Sequence, residues 1–416
     1  MSGQKIIFSH PTGNANVRAA LNGFMEAGIL ERFYTSIACF PGNSYHRLSA
    51  LPGFSEFRKR DFSKELQPIT RTLPFRELGR LASTKAGLKN LTRHESGMFS
   101  VDAVYRSIDR YVGEKIKRSD ASGVGAVYAY EDGAAYSFVK AKSKGLKCLY
   151  DLPIGYWRAA RKLLSEERER RPEWAATLVG FMDTEAKLAR KDEELKMADH
   201  IFVASSFTAA SLKEYPSQLS PIHIIPYGFP EVNPGKVYNL DKNKPLRVLF
   251  VGGLSQRKGV ANVFEAAEHF GRHVELTVVG HKLNDQCPAL DQALSKHKWI
   301  PSLPHAGILE LMRMHDVLVF PSLFEGFGLV ITEAMSQGTP VITTERTAGP
   351  DLIEHGKNGW LVEAGSTKAL EEIIEVLIGD RTYIETVGKA AIQTAAGRPW
   401  KSYGIELAEA VKKALV

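Results

Sequence analysis

Two glutamates stand eight residues apart in the stretch Pro321–Met335, PSLFEGFGLVITEAM, with two glycines and a phenylalanine between them. A carboxylate is a pure acceptor with two oxygens. Glu325 and Glu333 therefore suit pairs of adjacent hydroxyls, such as a ribose diol or a hexose. Val317–Phe320 reads as a strand that Pro321-Ser322 ends. A helix is expected from near Phe327 or Gly328 to Gln337, stopped by Gly338-Thr339-Pro340. The N–H groups of Gly326, Phe327, Gly328 and Leu329 would then point out of a helix N-terminus, a place that attracts phosphate or a sugar oxygen. Glycine lets a ligand approach the backbone closely. Two carboxylates flanking such a turn fit a nucleotide at one end and a sugar at the other. A paired-carboxylate hydrolase is the rival chemistry, but nothing else in the stretch marks an acid in an apolar pocket. The full pattern, P-S-x-x-E-G-F-G-L-x-x-x-E-A-M-x-x-G-x-P-V-I, is far more specific than two glutamates alone.

Placing such a turn requires strands, and the chain supplies them. Apolar runs are expected as strands at Lys5–Phe8, Ile37–Phe40, Val124–Tyr130, Lys147–Asp151, His200–Ala204 and Ile222–Ile225. After a break come Arg247–Val251, Val274–Val279, Val317–Phe320 and Val341–Thr344. Runs this apolar are covered on both faces. Helical periods lie between them, as in Val101–Lys117, where Val104, Ile108, Val112 and Ile116 recur every four residues. Strand and helix in alternation give parallel sheets with crossover helices, an α/β fold. The break is Tyr227–Pro245, rich in proline and without either period. It divides the chain into domains 1–229 and 230–398, with a final helix in 399–416 expected to pack back on the first. The charge run Ser165–Arg171 reads as the exposed face of a helix.

The Glu325–Glu333 stretch resembles the signature of retaining glycosyltransferases of glycosyltransferase family 4, the glycosyl transferases group 1, which have the GT-B fold. Val251–Gly259, Ala198–Ser206 and Gly356–Val362 are similar to further segments of that family. The resemblance implies two Rossmann-like parallel-sheet domains facing across a cleft, a nucleoside-diphosphate sugar as donor, and transfer to a hydroxyl with retained configuration. It implies that Glu333 holds the ribose hydroxyls and Glu325 those of the donor sugar. Backbone amides of Gly326 to Leu329 would face sugar and phosphates, beside Gly253. Arg257 and Lys258 would bind the diphosphate, which suits a planar fork and a point charge. Without Gly252-Gly253 before and Gly259 after, Arg257-Lys258 would read as an exposed pair. Gly13 and Asn14, in the loop after the first strand, match the family's N-terminal glycine loop. A dinucleotide fingerprint, G-x-G-x-x-G, is absent there and after Arg247–Val251, which argues against a nicotinamide enzyme. Many relatives carry a histidine near Tyr130. Here Tyr130 and Glu131 are left as acceptor-side candidates, with Asp132 read as a helix cap. Asp151, at a strand end, is expected to line the cleft and accept or orient the acceptor hydroxyl.

The rest of the composition narrows the partners. His10, His200, His281 and His315 show no metal-ligand spacing and no D-x-D is present, so neither a metal nor another cofactor is expected. Of 54 Lys and Arg against 47 Asp and Glu, the whole positive surplus lies in residues 1–229. The segment Pro52–Arg93 interleaves basic and apolar residues. It fits either an amphipathic surface that touches anionic lipid or a basic helical insertion packed on the first domain. An anionic or lipid-linked saccharide acceptor follows from the same charge, in surface polysaccharide or glycolipid assembly. No nucleic-acid motif is present, and no nucleic-acid partner is expected. No apolar run approaches the roughly 18 residues of a membrane span, the N-terminus lacks a signal-peptide core, and three scattered cysteines fit a reducing cytoplasm. The protein is expected there, at the inner face of the membrane if the lipid reading holds. Other functions on this fold are a sugar-nucleotide epimerase, a phosphorylase, or a non-catalytic sugar-nucleotide-binding subunit.

Overall fold

The structure is a computed structural model of the 416-residue chain and describes residues 4–49, 55–118, 123–178 and 181–416. Seven described strands make the first sheet: β1 (Lys5–Ser9), β2 (Leu30–Thr35), β3 (Thr70–Thr72), β4 (Val124–Tyr130), β5 (Lys147–Leu152), β6 (His200–Val203) and β7 (Ile222–Ile224). Their order is β3-β2-β1-β4-β5-β6-β7. Six make the second: β8 (Leu246–Val251), β9 (Val274–Val279), β10 (Lys298–Ile300), β11 (Val317–Phe320), β12 (Val341–Thr344) and β13 (Trp360–Val362), ordered β10-β9-β8-β11-β12-β13. The pairings are parallel throughout. Strand order reverses between β1 and β4 and again between β8 and β11. Such switch points open a crevice at the carboxyl ends of the strands, where ligands bind. The segments that follow β1, β8 and β11 are the ones the sequence marked.

Sequence and structure differ in the first sheet. The expected strand Ile37–Phe40 is a buried loop, and β2 lies just before it at Leu30–Thr35. Glu31 and Arg32 sit half-buried at the open end of β2 and interrupt the apolar period. β3 falls within the basic segment Pro52–Arg93, whose residues Pro52–Phe54 lie outside the described ones. The described remainder packs in part on the first domain, while Phe75, Leu78 and Leu88 stay exposed. Phe57, Phe62 and Leu66 are buried, and Arg60 forms a buried ion pair with Glu77. Glu77 also takes Arg80 Nε and Nη2 at 2.8 Å each.

The last helix, Trp400–Leu415, crosses back to the first domain and lies on helix Ala15–Glu26, where the two backbones touch at Gly404 and Gly23. It buries Tyr403, Leu407 and Val411. Each large apolar side chain buried this way contributes about 2 kcal/mol. Residues 157–178 go the other way and dock on the second domain. Trp174 stacks on Phe264 with ring centroids 6.0 Å apart. Ser255 Oγ donates to the Thr177 carbonyl at 2.6 Å, and the Gln256 N–H to Thr177 Oγ1 at 2.9 Å. The charge run at Ser165–Arg171 is therefore not wholly an exposed face. Glu167 is buried, accepting from Gln256 Nε2 at 2.6 Å and pairing with Arg170 and Arg171.

Candidate functional site

The turn after β11 is fixed from three sides. The Leu323 N–H donates to the Arg257 carbonyl at 2.8 Å, the Glu325 N–H to the Arg346 carbonyl at 3.1 Å, and the Ala348 N–H to the Phe327 carbonyl at 2.9 Å. Helix Leu329–Ser336 then begins behind Gly328, whose φ of 87° is left-handed and favours glycine. No side chain caps this end, so its first N–H groups are left for solvent or a ligand. Phe327 is buried with its ring 4.8 Å from that of Tyr227, which holds the turn. Gly326 also stands at the contact between the domains. A Cβ there would meet the Pro153 carbonyl oxygen at 2.1 Å and Ile154 Cα at 2.6 Å. The Gly326 carbonyl accepts from Ser205 Oγ at 2.5 Å and Thr208 Oγ1 at 2.9 Å. This glycine lets the two domains touch.

Arg257 and Lys258 follow β8 in a short turn that Gln256 anchors: its Oε1 accepts the Ala261 N–H at 2.9 Å. Arg257 Nη1 donates to the Phe324 carbonyl at 2.7 Å and lies 3.3 Å from Glu325 Oε2. Lys258 Nζ contacts the same oxygen and sits 4.8 Å over the Phe320 ring. Burial, and then the charge of Arg257, pull the Lys258 pKa well below its ordinary value. The Glu325 carboxylate in contact opposes that pull. Two desolvated cations thus share one carboxylate, which leaves the corner short of negative charge.

This corner opens into a recess of about 380 Å³ at the seam between the domains. Gly252, Gly253, Lys258, Glu325, Gly328 and Leu329 line one wall, and Asn14 and Asn16 the other. Asn14 is the N-cap residue of helix Ala15–Glu26 and makes no side-chain cap bond. Two helix N-termini, one from each domain, therefore face the same space, and both favour anions. Gly13 is buried behind Asn14, its carbonyl bonded to Arg18. A second recess of about 340 Å³ shares Leu329 with the first. It holds Glu333 and Thr332 against Arg18, Asn22 and Trp400. His305 Nε2 lies 3.0 Å from Glu333 Oε1, and that bond raises the His305 pKa.

Three expected residues stand elsewhere. Asp151 does not line the cleft. It is 4% exposed, accepts from Tyr128 at 2.6 Å, and burial pushes its pKa up to about 7. The Tyr130 hydroxyl approaches the same carboxyl without reaching hydrogen-bond geometry, and its ring packs 4.6 Å from that of His10. Burial pulls the His10 pKa down to about 4, so His10 is neutral. Glu131 is buried and paired with Lys191 at 3.2 Å. Successive strand residues point to opposite faces of the sheet: Tyr130 and Asp151 join the aromatic layer of Phe8 and Tyr128 on one face, Glu131 meets Lys191 on the other, and none of the three lines either recess. Asp132 is no helix cap either. Glu194 accepts the N–H groups of Asp132, Ala134 and Ala135 instead, and Asp109 those of Tyr136 and Ser137. His94, Glu95 and Asp183 come within metal-ligand reach of one another. They lie away from the cleft, and Lys187 Nζ, 3.1 Å from Asp183, already supplies positive charge.

Asn16, Arg18, Tyr227 and His305 were not expected at the site. Helix register places Arg18 one turn beyond Asn14 on the same face, a signal the sequence did carry. His305 arrives from another helix, and nothing local announces it.

With strand order, cleft and turn in hand, the fold is GT-B: two Rossmann-like domains across a crevice. At 17% identity, sucrose-phosphate synthase from Thermosynechococcus elongatus superposes with a TM-score of 0.66 over 99% of this chain and 98% of that one. HepE of Anabaena, solved with UDP and glucose, gives 0.61 at 18% identity over 99% of this chain and all of the other. Residues 236–394 match the family model described as glycosyl transferases group 1. A curated relative, the capsular polysaccharide biosynthesis glycosyltransferase CapM of Staphylococcus aureus, is 31% identical over 33% of this chain and 38% of its own. The chain spans about half or less of the length of the curated relatives it matches first.

Proposed function

We propose that this protein is a retaining glycosyltransferase that takes its sugar from a nucleoside diphosphate without a metal ion. One observation carries the reading. Arg257 and Lys258 share Glu325 at an uncapped helix N-terminus, in a recess adjoining the one that holds Glu333. The diphosphate would lie between the N-termini of helices Ala15–Glu26 and Leu329–Ser336 and draw the two cations from Glu325. As the bond from anomeric carbon to phosphate oxygen breaks, negative charge grows on the leaving diphosphate. Cations already in place stabilise it. Released Glu325 accepts from donor-sugar hydroxyls, and Glu333 from the ribose. Asp151 is sealed in the first domain, so the acceptor's proton is proposed to pass to the leaving phosphate on the same face. The acceptor is proposed to be a saccharide or lipid-linked hydroxyl in surface polysaccharide or glycolipid assembly. CapM supports that class, and the UDP held by HepE makes uracil the first base to try.

The test is calorimetric titration with UDP, GDP, ADP, CDP and TDP in the presence of a chelator. One diphosphate is expected to bind, and Glu333→Ala to weaken it about tenfold or more, as for lost hydrogen bonds to a charged group. Binding by none of the five would overturn the reading.

A further inference from the structure

A cavity of about 520 Å³ opens on the first domain between helices Phe75–Lys85 and Val101–Arg118 and the start of Ala135–Lys142. It is separate from both recesses of the cleft. Arg76, Arg106, Arg110 and Arg190 line it. Arg190 pairs with Asp132 at 3.2 Å. The other three differ from most cations of this domain. Arg76 donates to the Met98 carbonyl. Arg106 donates to the carbonyls of Asp102 at 3.3 Å and Glu95 at 3.0 Å. Arg110 lies 5.9 Å from the centre of the Tyr136 ring. Carbonyls and a ring orient a guanidinium without cancelling its charge. The carboxylate in the lining is Asp109, which is 5% exposed and spent on two backbone N–H groups. Among the described residues none of these three guanidinium groups makes an ion pair, and all three face one concave space.

Beside the cavity stand three large apolar side chains in water. Phe75 is 63% exposed, Met98 54% and Val101 57%. Phe75 adjoins Arg76, and Met98 itself lines the cavity. A guanidinium fork matches phosphate oxygens, but a dissolved phosphate ester gives no reason for an apolar rim. A membrane surface presents both, an anionic phosphate layer directly above acyl chains. We propose that this cavity takes the headgroup phosphate of an anionic membrane lipid, while Phe75, Met98 and Val101 enter the acyl boundary. Among the described residues no helix is long and apolar enough to cross a membrane, and contact of this kind needs none.

Flotation of the full chain with vesicles tests this. Binding is expected to vesicles that contain phosphatidylglycerol, not to phosphatidylcholine alone, and to weaken with salt. Arg76→Ala with Arg110→Ala is expected to cut partition by tenfold or more, since each basic residue near the surface contributes about fivefold. Phe75→Ser is expected to weaken it without changing the salt dependence. Lys412→Ala with Lys413→Ala removes equal charge from exposed positions on the last helix and is expected to change little. Absence of vesicle binding overturns the proposal, as does equal loss in both double variants. Inorganic phosphate binding at the cavity without vesicle binding overturns it in favour of a soluble anion. Nucleotide titration of the same variants is read separately. Its failure in the unmodified protein would sink the donor reading and leave the lipid site standing.

Discussion

The cleft and the layer beneath the first sheet hold the same side chains to opposite effect. In the cleft, Arg257 and Lys258 share the single carboxylate of Glu325 at a half-open wall. Beneath the sheet, Lys187 lies 3.0 Å from Asp102, 3.1 Å from Asp183 and 3.7 Å from Asp132, and Lys191 lies 3.2 Å from Glu131. There carboxylates outnumber cations, and Glu194 satisfies itself on backbone N–H groups. Burial nonetheless pushes the Glu194 pKa up to about 8. A site short of negative charge waits for an anion, whereas a site with every charge answered by protein is architecture. Counting unanswered charge separates the two better than counting charged residues.

Removing one lysine from each place should break the symmetry most strongly. Lys258→Ala is expected to lower kcat by two to three orders of magnitude, the usual cost of losing one group that stabilises developing charge (~3 kcal/mol or more). Its urea unfolding should shift by less than about 1 kcal/mol, because Arg257 still answers Glu325. Lys191→Ala should do the reverse. It leaves Glu131 buried and unpaired, at a cost of about 3 kcal/mol in stability, with nucleotide affinity unchanged in the folded fraction. If both variants lost activity and stability together, the distinction between cleft and layer would fail.

Asp151 tests the opposite face of the first sheet, where it accepts from Tyr128. Its folded pKa of about 7 lies above the value of the unfolded chain. The folded state therefore holds the proton more tightly. The stability that Asp151 itself contributes is fully present below pH ~4 and is lost as pH rises through about 7. Asp151→Asn should remove that decline and be the more stable protein at pH 8 by about 1 to 3 kcal/mol. Nucleotide binding should not change. A lost diphosphate affinity in this variant would return Asp151 to the cleft.

Gly326→Ala asks which partner that glycine serves. If it serves the seam with Pro153, the added methyl forces the domains apart and lowers stability by about 1 to 3 kcal/mol. Diphosphate affinity would fall as a consequence. If it serves only a bound ligand, affinity falls while the unfolding curve stays where it was.

The second sheet was legible because buried parallel strands are unbroken apolar runs. Val274–Val279, Val317–Phe320 and Val341–Thr344 stand where their sequences put them. β3, β10 and β13 are three residues each, too short for any period to register, and β2 carries Glu31 and Arg32 directly after its first residue. At the site, Glu325 and Gly328 after β11 and Lys258 after β8 could be read from local order, because each follows a strand end and stands beside glycines. Asp151, Tyr130 and Glu131 were misplaced because a strand end alone does not say which face its side chain takes. Asn16 and His305 meet the others only through the fold, whereas the helix register of Arg18 with Asn14 was there to be read.

His305 offers the finest cut. The bond to Glu333 raises its pKa, so the bonus it gives the folded state is complete below the unfolded value near 6.5 and is lost as pH rises through the higher folded one. The same proton matters for the nucleotide. While His305 is charged it occupies the acceptor that the ribose needs; once neutral, it releases Glu333. Diphosphate affinity should therefore rise slightly across that titration, and His305→Ala should abolish the rise. With His305 61% exposed, solvent screens the pair, and the effect should be about twofold, a few tenths of a kcal/mol. A slope that survives in His305→Ala would move the titrating group to the Lys258 corner, where loss of the ammonium proton would make affinity fall with pH instead. The sign of the residual slope tells the two recesses apart.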